Sequence, residues 1–215
     1  MSVKNKRILI TAGPTWVPID SVRVISNRAT GKTGILLARK LQRLGAEVNL
    51  LLGPVEFNVV HDKIRVLRFR FFDELCDRIK EELKKRHFDY VFHAAAVSDY
   101  RPQGRYRKKV KSGLCRWQLE LVPTSKIIKS IKRLDRDIFL VGFKFLPQAS
   151  KAHLIQQARM LMKESDCDCV VANTLVSNDY RAWIVKEEDV SGGYHSRSEL
   201  IGHLIRAISK HRIKA

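Results

Sequence analysis

The sequence is short of acid, of cysteine and of long apolar runs. Asp and Glu number 22 against 41 Lys and Arg, which leaves a formal charge of +19 over 215 residues. That imbalance points to an anionic partner without saying which: nucleic acid, nucleotide, phosphorylated metabolite and membrane surface all fit it. The cysteines are Cys76, Cys115, Cys167 and Cys169, with no C-x-x-C pair. A chain of this size does not need stapling, so reduced thiols are expected. Cys167 and Cys169 alternate with Asp166 and Asp168 and read as two core-facing positions of one strand rather than metal ligands. No apolar run approaches the roughly 18 residues of a membrane span. The residues before Gly13 offer too short an apolar stretch for a secretory signal, so a cytoplasmic chain with no membrane partner is expected.

Familiar catalytic motifs are also missing. There is no G-x-S-x-G, no H-E-x-x-H, no paired-carboxylate motif, and no serine or cysteine with an evident base partner. His93 stands in an apolar run and reads as a core histidine. Chemistry that needs positioning and charge rather than a protein nucleophile, such as nucleotidyl or phosphoryl transfer, fits this absence.

What is present is a core. Apolar residues make up 45% of the chain, in short blocks, which excludes intrinsic disorder. Short apolar runs at 6–11, 48–52, 64–69, 90–96, 138–142 and 167–172 read as buried strands. Helical periodicity appears at 32–45, 72–85, 154–162 and from Glu199 onward, the last behind the capping-box match Ser196-x-x-Glu199. Alternating strand and helix predicts an α/β domain over 1–215 with a mostly parallel sheet covered on both faces. Residues 101–123 break the rhythm and read as a flap or hairpin beside the sheet, with a polar strand over 116–122. In doubly wound sheets ligands sit at the carboxyl ends of the strands, so the loops 12–31, 94–111, 142–149 and 172–182 are the places to look.

Three segments carry potential chemistry. Gly13 after the first strand, and Gly31, Lys32, Thr33 and Gly34 opening the first helix, suit phosphate: small residues let backbone approach, and a helix start presents unpaired N–H groups. An ordinary βα turn accounts for them equally well. The stretch narrowly misses a P-loop, having Ser26 where glycine is required, and it lies too far from its strand. Ala94, Ala95 and Ala96 leave room for a flat group at a strand end, and Asp99 suits a cation, a sugar hydroxyl or an Asx turn. Finally, residues 101–133 hold eleven Lys and Arg and one acid, Glu120, with Arg105, Arg107, Lys108, Lys109 and Lys111 close together. Such a run is a solvated face or a lid over polyphosphate.

Taken in order, Ile10-Thr11-Ala12-Gly13-Pro14-Thr15, Val22-Arg23-Val24-Ile25-Ser26-Asn27, Thr30-Gly31-Lys32-Thr33-Gly34, Ala94-Ala95-Ala96-Val97-Ser98-Asp99-Tyr100-Arg101-Pro102, Lys109-Val110-Lys111, Leu119-Glu120-Leu121-Val122-Pro123-Thr124, Val141-Gly142-Phe143 and Val170-Val171-Ala172-Asn173 resemble the phosphopantothenate–cysteine ligase (phosphopantothenoylcysteine synthetase) family. The resemblance implies a Rossmann-like fold and a step of coenzyme A biosynthesis in which 4′-phosphopantothenate is joined to cysteine. Bacterial-type members use CTP and Mg²⁺ through an acyl-cytidylate, releasing pyrophosphate and CMP; eukaryotic members use ATP. The first two signatures look bacterial, so CTP is expected, with ATP the alternative.

On the matching positions, the resemblance implies that Asn27 contacts phosphopantothenate or its acyl-nucleotide and assists turnover, and that Lys109 stabilises charge on the triphosphate. Arg23 and Ala95 hold the pantothenate part. Asp99 faces the nucleotide, through Mg²⁺ if a metal is bound. Gly13, Gly31, Lys32, Thr33, Gly34, Ala96, Ser125, Lys126, Ile127, Ile128 and Phe143 surround the nucleotide. The sequence departs from the family at Ser125-Lys126, where many members have Pro-Asp, and at Leu146, where many have an acid. A lysine usual before the Asp-Leu-Ile strand is displaced, and Lys163 is the nearest. A homodimer and a separate flavin-dependent decarboxylase acting next are the implied partners. Two other readings stand beside this one: a P-loop-like kinase or ATPase, and a basic module that binds nucleic acid through 101–133.

Overall fold

A computed structural model describes residues 2–56, 63–104 and 106–209. In chain order the elements are β1 (Arg7–Ala12), β2 (Trp16–Pro18), β3 (Val24–Ser26), α1 (Lys32–Arg43), β4 (Glu47–Leu52), β5 (Ile64–Arg68), α2 (Phe72–Lys85), β6 (Tyr90–His93), β7 (Tyr100–Pro102), β8 (Leu121–Pro123), α3 (Ile127–Leu134), β9 (Phe139–Phe145), α4 (Lys151–Ser165), β10 (Cys169–Val176), β11 (Asp179–Val185), β12 (Val190–Tyr194) and α5 (Arg197–Ser209).

The main sheet runs β12-β11-β10-β9-β6-β1-β4-β5. Six neighbouring strands, β10 to β5, are parallel, and β11 and β12 extend the sheet antiparallel. Counted along the chain, the parallel strands take the doubly wound order 3-2-1-4-5-6, so the connections reverse direction between β1 and β6. The alternation of side chains along β1 shows why both faces are covered: Ile8 and Ile10 join the core beneath α1 and α5, while Leu9 joins the core beneath α2, α3 and α4. The α/β expectation therefore holds, with the sheet's two apolar faces each buried under helices.

Several local expectations need correction. Cys167 and Cys169 do not share a face: Cys167 lies before β10 and packs with Leu154 and Ile131, whereas Cys169 starts the strand and packs into the opposite core. The left-handed Asp166 at the end of α4 turns the chain there, so the period of two begins only at Cys169. The presumed loop at 172–182 is largely strand. Ser177 and Asn178, both at positive φ (48° and 71°), form the tight turn that lets β11 pair back on β10. The polar strand at 116–122 shrinks to β8, which pairs antiparallel with β7 over three residues. Also unforeseen are the β2–β3 hairpin inside the first loop, the antiparallel strands β11 and β12, and α3, whose Ile127, Ile128 and Ile131 are masked by the lysines around them. Arg105 lies outside the described residues.

Candidate active site

The crevice at the β1/β6 switch is built from backbone bonds. Beyond β1 the chain stays beside β6: Ala94 N–H donates to Thr11 O at 3.1 Å, Ala96 N–H to Gly13 O at 2.9 Å, and Thr15 N–H to Ala96 O at 3.3 Å. The buried Thr11 hydroxyl accepts from Ala95 N–H at 3.1 Å and lies 3.0 Å from His93 Nδ1. One turn further, Thr15 Oγ1 accepts from Ser98 N–H at 3.0 Å, and Thr124 Oγ1 donates to Ser98 O at 2.7 Å. The amides of Ala95 and Ala96 are thus spent within the fold. What these alanines offer a ligand is a half-buried surface without bulk.

Opposite them sits the start of α1. Gly31, its N-cap, is left-handed (φ 68°), has no side-chain cap, and the first turn carries no acid. The first-turn N–H groups at Lys32, Thr33 and Gly34 therefore have no side-chain acceptor, and Lys32 adds a positive charge at the helix's positive end. An anion relieves both. The helix comes close because glycine permits it: a Cβ on Gly34 would stand 2.5 Å from Ala12 Cβ, and one on Gly31 would stand 3.3 Å from Gly13 N.

Asn27 ties the β2–β3 hairpin to the strand end. Its Nδ2 donates to Ala96 O at 3.2 Å and Val97 O at 3.0 Å, and Ser26 Oγ donates to Thr15 O at 3.1 Å. Ser26 ends a strand here, so no P-loop follows β1. Exposed Asp99 pairs with Lys126 Nζ at 2.5 Å, beside Ser125 and the start of α3. Phe143, half-buried, lies near the carboxyl end of β9, next to β6.

Among the described residues no group of three or more His, Cys, Asp or Glu is arranged to hold a metal ion. Asp99 alone fits a Mg²⁺ that arrives with phosphate oxygens and waters, the usual mode for that ion. Its role would be to neutralise phosphate charge.

Not every expected residue points into the crevice. Ile127 and Ile128 are buried with the core under α3, leaving only their backbone toward a ligand. Lys163 lies in the last turn of α4, at the amino end of the sheet, and does not join the rest. Arg23 is committed within the chain: its Nη1 donates to Asp20 Oδ2 at 2.6 Å and Val110 O at 3.2 Å, and its guanidinium lies 5.0 Å from the centre of the Trp117 ring. Lys109 is exposed beside Val110.

Asp20, which sequence reasoning missed, is the hub of this arrangement. Burial opposes its ionisation. The N–H groups of Arg23, Val22 and Val110 and the Arg23 guanidinium outweigh that and hold its carboxyl well below the usual carboxylate range. Only its position before Val22-Arg23 hinted at it.

Burial lowers the pKa of His93 to about 4, so it is neutral and no base at ordinary pH. Burial pushes the thiols of Cys167 and Cys169 up to about 12, so neither is a nucleophile.

Fold and crevice together define a doubly wound α/β domain whose switch point is faced by an uncapped, acid-free helix start. The family of the DNA/pantothenate metabolism flavoprotein C-terminal domain matches residues 3–191, and the chain belongs to it. It is 41% identical over 175 residues to the coenzyme A biosynthesis bifunctional protein CoaBC of Thermococcus kodakarensis, covering 81% of this chain and 42% of that protein. The chain thus spans less than half the length of that relative. Among solved structures, the DNA/pantothenate metabolism flavoprotein from Streptococcus pneumoniae superposes with a TM-score of 0.86 at 25% identity, covering 96% of this chain and all of that one. The C-terminal domain of a coenzyme A biosynthesis bifunctional protein CoaBC superposes with a TM-score of 0.79 at 25% identity, covering 97% and 96%. No helix among the described residues is long and apolar enough to cross a membrane.

Proposed function

We propose that the chain is a phosphopantothenate–cysteine ligase that joins 4′-phosphopantothenate to L-cysteine through an acyl-cytidylate. The observation that carries this is the convergence at one crevice of an uncapped, acid-free helix start, the small Ala94–Ala96 bridge, and Asn27 clamped across it. The curated relatives named for coenzyme A biosynthesis support it.

In this reading a carboxylate oxygen of phosphopantothenate attacks the α-phosphorus of CTP, and pyrophosphate leaves. The cysteine amine then attacks the acyl carbon, CMP leaves with the bonding pair, and the amine's proton passes to solvent. The N–H groups of Lys32, Thr33 and Gly34 hold phosphate. Lys109 and Lys126 offset charge on the triphosphate, in a chain whose positive excess offsets the repulsion between two anionic substrates. Asp99 would hold a Mg²⁺ ion, whose charge would offset that of the phosphates, and Phe143 with the backbone at 125–128 walls the nucleotide. Asn27 and Arg23 orient the acyl part against Ala95. A homodimer and a flavin-dependent decarboxylase that consumes the product complete the reading.

The test is pyrophosphate release by the purified chain given CTP, Mg²⁺, phosphopantothenate and cysteine, with ATP in parallel. Release that requires phosphopantothenate and prefers CTP is expected. No release with either nucleotide overturns the proposal.

A further inference from the structure

The basic excursion between β7 and β8 contains no helix or strand among its described residues, yet it is fastened at defined points. Gln103 N–H donates to Glu120 O at 2.9 Å across its base, and Tyr106 N–H donates to Ile19 O at 3.1 Å. Tyr106 meets the Trp117 ring edge-on at 6.0 Å, and Trp117 carries Arg23 on its face. The deepest attachment is Asp20, whose side chain is 0% exposed. Its Oδ1 accepts from Val22 N–H at 2.8 Å and Arg23 N–H at 2.7 Å, which closes a local turn. Its Oδ2 accepts from Arg23 Nη1 at 2.6 Å and from Val110 N–H at 3.1 Å, 90 residues away. Arg23 Nη1 donates in turn to Val110 O at 3.2 Å. Both backbone polar groups of Val110 therefore end on one ion pair whose carboxylate is buried, between the exposed Lys109 and Lys111.

A turn alone needs only the first two bonds. The other pair spends a fully buried carboxylate on holding the lysine segment, and a buried charge is retained only when its bonds are made. We propose that Asp20 is a positioning residue: through Val110 it fastens the Lys109 segment to the turn that supplies Arg23. Its catalytic consequence rests on the ligase reading above, whereas its structural content does not. A lysine held in place before substrate arrives stabilises developing charge without first being ordered.

The experiment uses the full chain. In Asp20→Asn the amide oxygen at the Oδ1 position still serves Val22 and Arg23, but the NH₂ group then faces two donors, Arg23 Nη1 and Val110 N–H. Val110→Pro removes the N–H and leaves Asp20 intact, and it answers the question if Asp20→Asn fails to fold. Both variants are digested with trypsin under native conditions, and cleavage after Arg107, Lys108 and Lys111 is followed by mass spectrometry; cleavage after Lys109 is followed in Asp20→Asn only, because the proline in Val110→Pro blocks it. Cleavage there about 10-fold faster than in the unaltered chain, with other sites unchanged, is expected. Steady-state kinetics should show kcat falling about 10-fold with the cysteine KM unchanged. Val110→Pro, which leaves the Asp20–Arg23 pair in place, should cost nothing further when added to Lys109→Gln, because both act through the same lysine. Folded variants with unaltered cleavage at these sites, or full additivity with Lys109→Gln, overturn the proposal. An unaltered chain that makes no product refutes the ligase reading instead, and the cleavage rates still decide the role of Asp20.

Discussion

The side-chain amide of Asn27 donates to the carbonyl of Val97 at 3.0 Å and, from the same nitrogen, to that of Ala96 at 3.2 Å. Asn27 follows β3 and the carbonyls follow β6, so one side chain bridges the crevice between the hairpin and the sheet. Asn27→Asp presents a carboxylate to two carbonyl oxygens. The clamp opens, and under the ligase reading the acyl-cytidylate forms but is turned over poorly. Product formation should fall by about 10² to 10³, as for loss of a preorganised donor, while pyrophosphate release from a single turnover persists. Quenched-flow detection of an accumulating acyl-cytidylate checks this. Equal loss of both half-reactions would count against it.

Lys109 is exposed, and its replacement by glutamine should leave stability within about 0.5 kcal/mol, the usual range for such surface positions. The rate should fall by roughly 10² to 10³ if the lysine offsets charge that develops on the triphosphate. Urea unfolding and kcat, measured side by side, separate the two. An unchanged kcat refutes the role.

Asp99 makes the complementary case. Its pair with Lys126 is solvent-exposed on both sides, and such pairs contribute about 0 to 1 kcal/mol. Asp99→Asn should therefore leave the urea midpoint nearly unmoved while raising the Mg²⁺ concentration needed for half-maximal pyrophosphate release. A lowered midpoint with an unchanged Mg²⁺ requirement would make Asp99 structural.

Elements with their own period were legible. In α1, Ile35, Leu37 and Leu41 of the periodic run bury one face and Gly45 follows at positive φ, so the stop and most of the face are written locally, although Leu36 and Leu44 of the same run stay exposed. In α3 the same kind of face, Ile127, Ile128 and Ile131, is embedded among lysines that share a charge run with the flap, and charge hid the period. The glycines of the crevice and Asn27 were found because they fall in ordered motifs. Asp20 was not found, because its meaning lies in a bond to Val110 that no local pattern encodes. Lys163 was assigned by sequence proximity to a motif, and the crossover from β9 through α4 to β10 carries it to the far end of the sheet.

Gly34 tests how closely α1 must approach β1. A methyl group there would lie 2.5 Å from Ala12 Cβ, far inside contact distance, and Ala12 is fully buried in the sheet. Gly34→Ala must shift the helix start, at about 1 to 3 kcal/mol for such overpacking. The first-turn N–H groups move with it, so under the ligase reading the KM for the nucleotide should rise alongside the drop in unfolding free energy. A variant of undiminished stability would mean that the helix start is not held as tightly as the geometry implies.

His93 sets the acid side of the stability profile. Burial lowers its pKa from 6.5 to about 4 in the folded chain, so the folded state prefers the neutral ring. Between those values the unfolded chain takes up a proton that the folded chain refuses. Stability from this site is fully present above about pH 6.5. It falls by up to about 1.4 kcal/mol per pH unit as the medium is acidified, and about 3 kcal/mol is gone by pH 4. The lowered carboxyls of Asp20, Asp89 and Asp179 act in the same direction, but only as the pH falls below their ordinary value of 3.8. Urea unfolding from pH 4.5 to 7.5 therefore reads His93 with little interference from those three, and His93→Gln should flatten the profile in that window. A slope that survives the substitution would place the titrating group elsewhere.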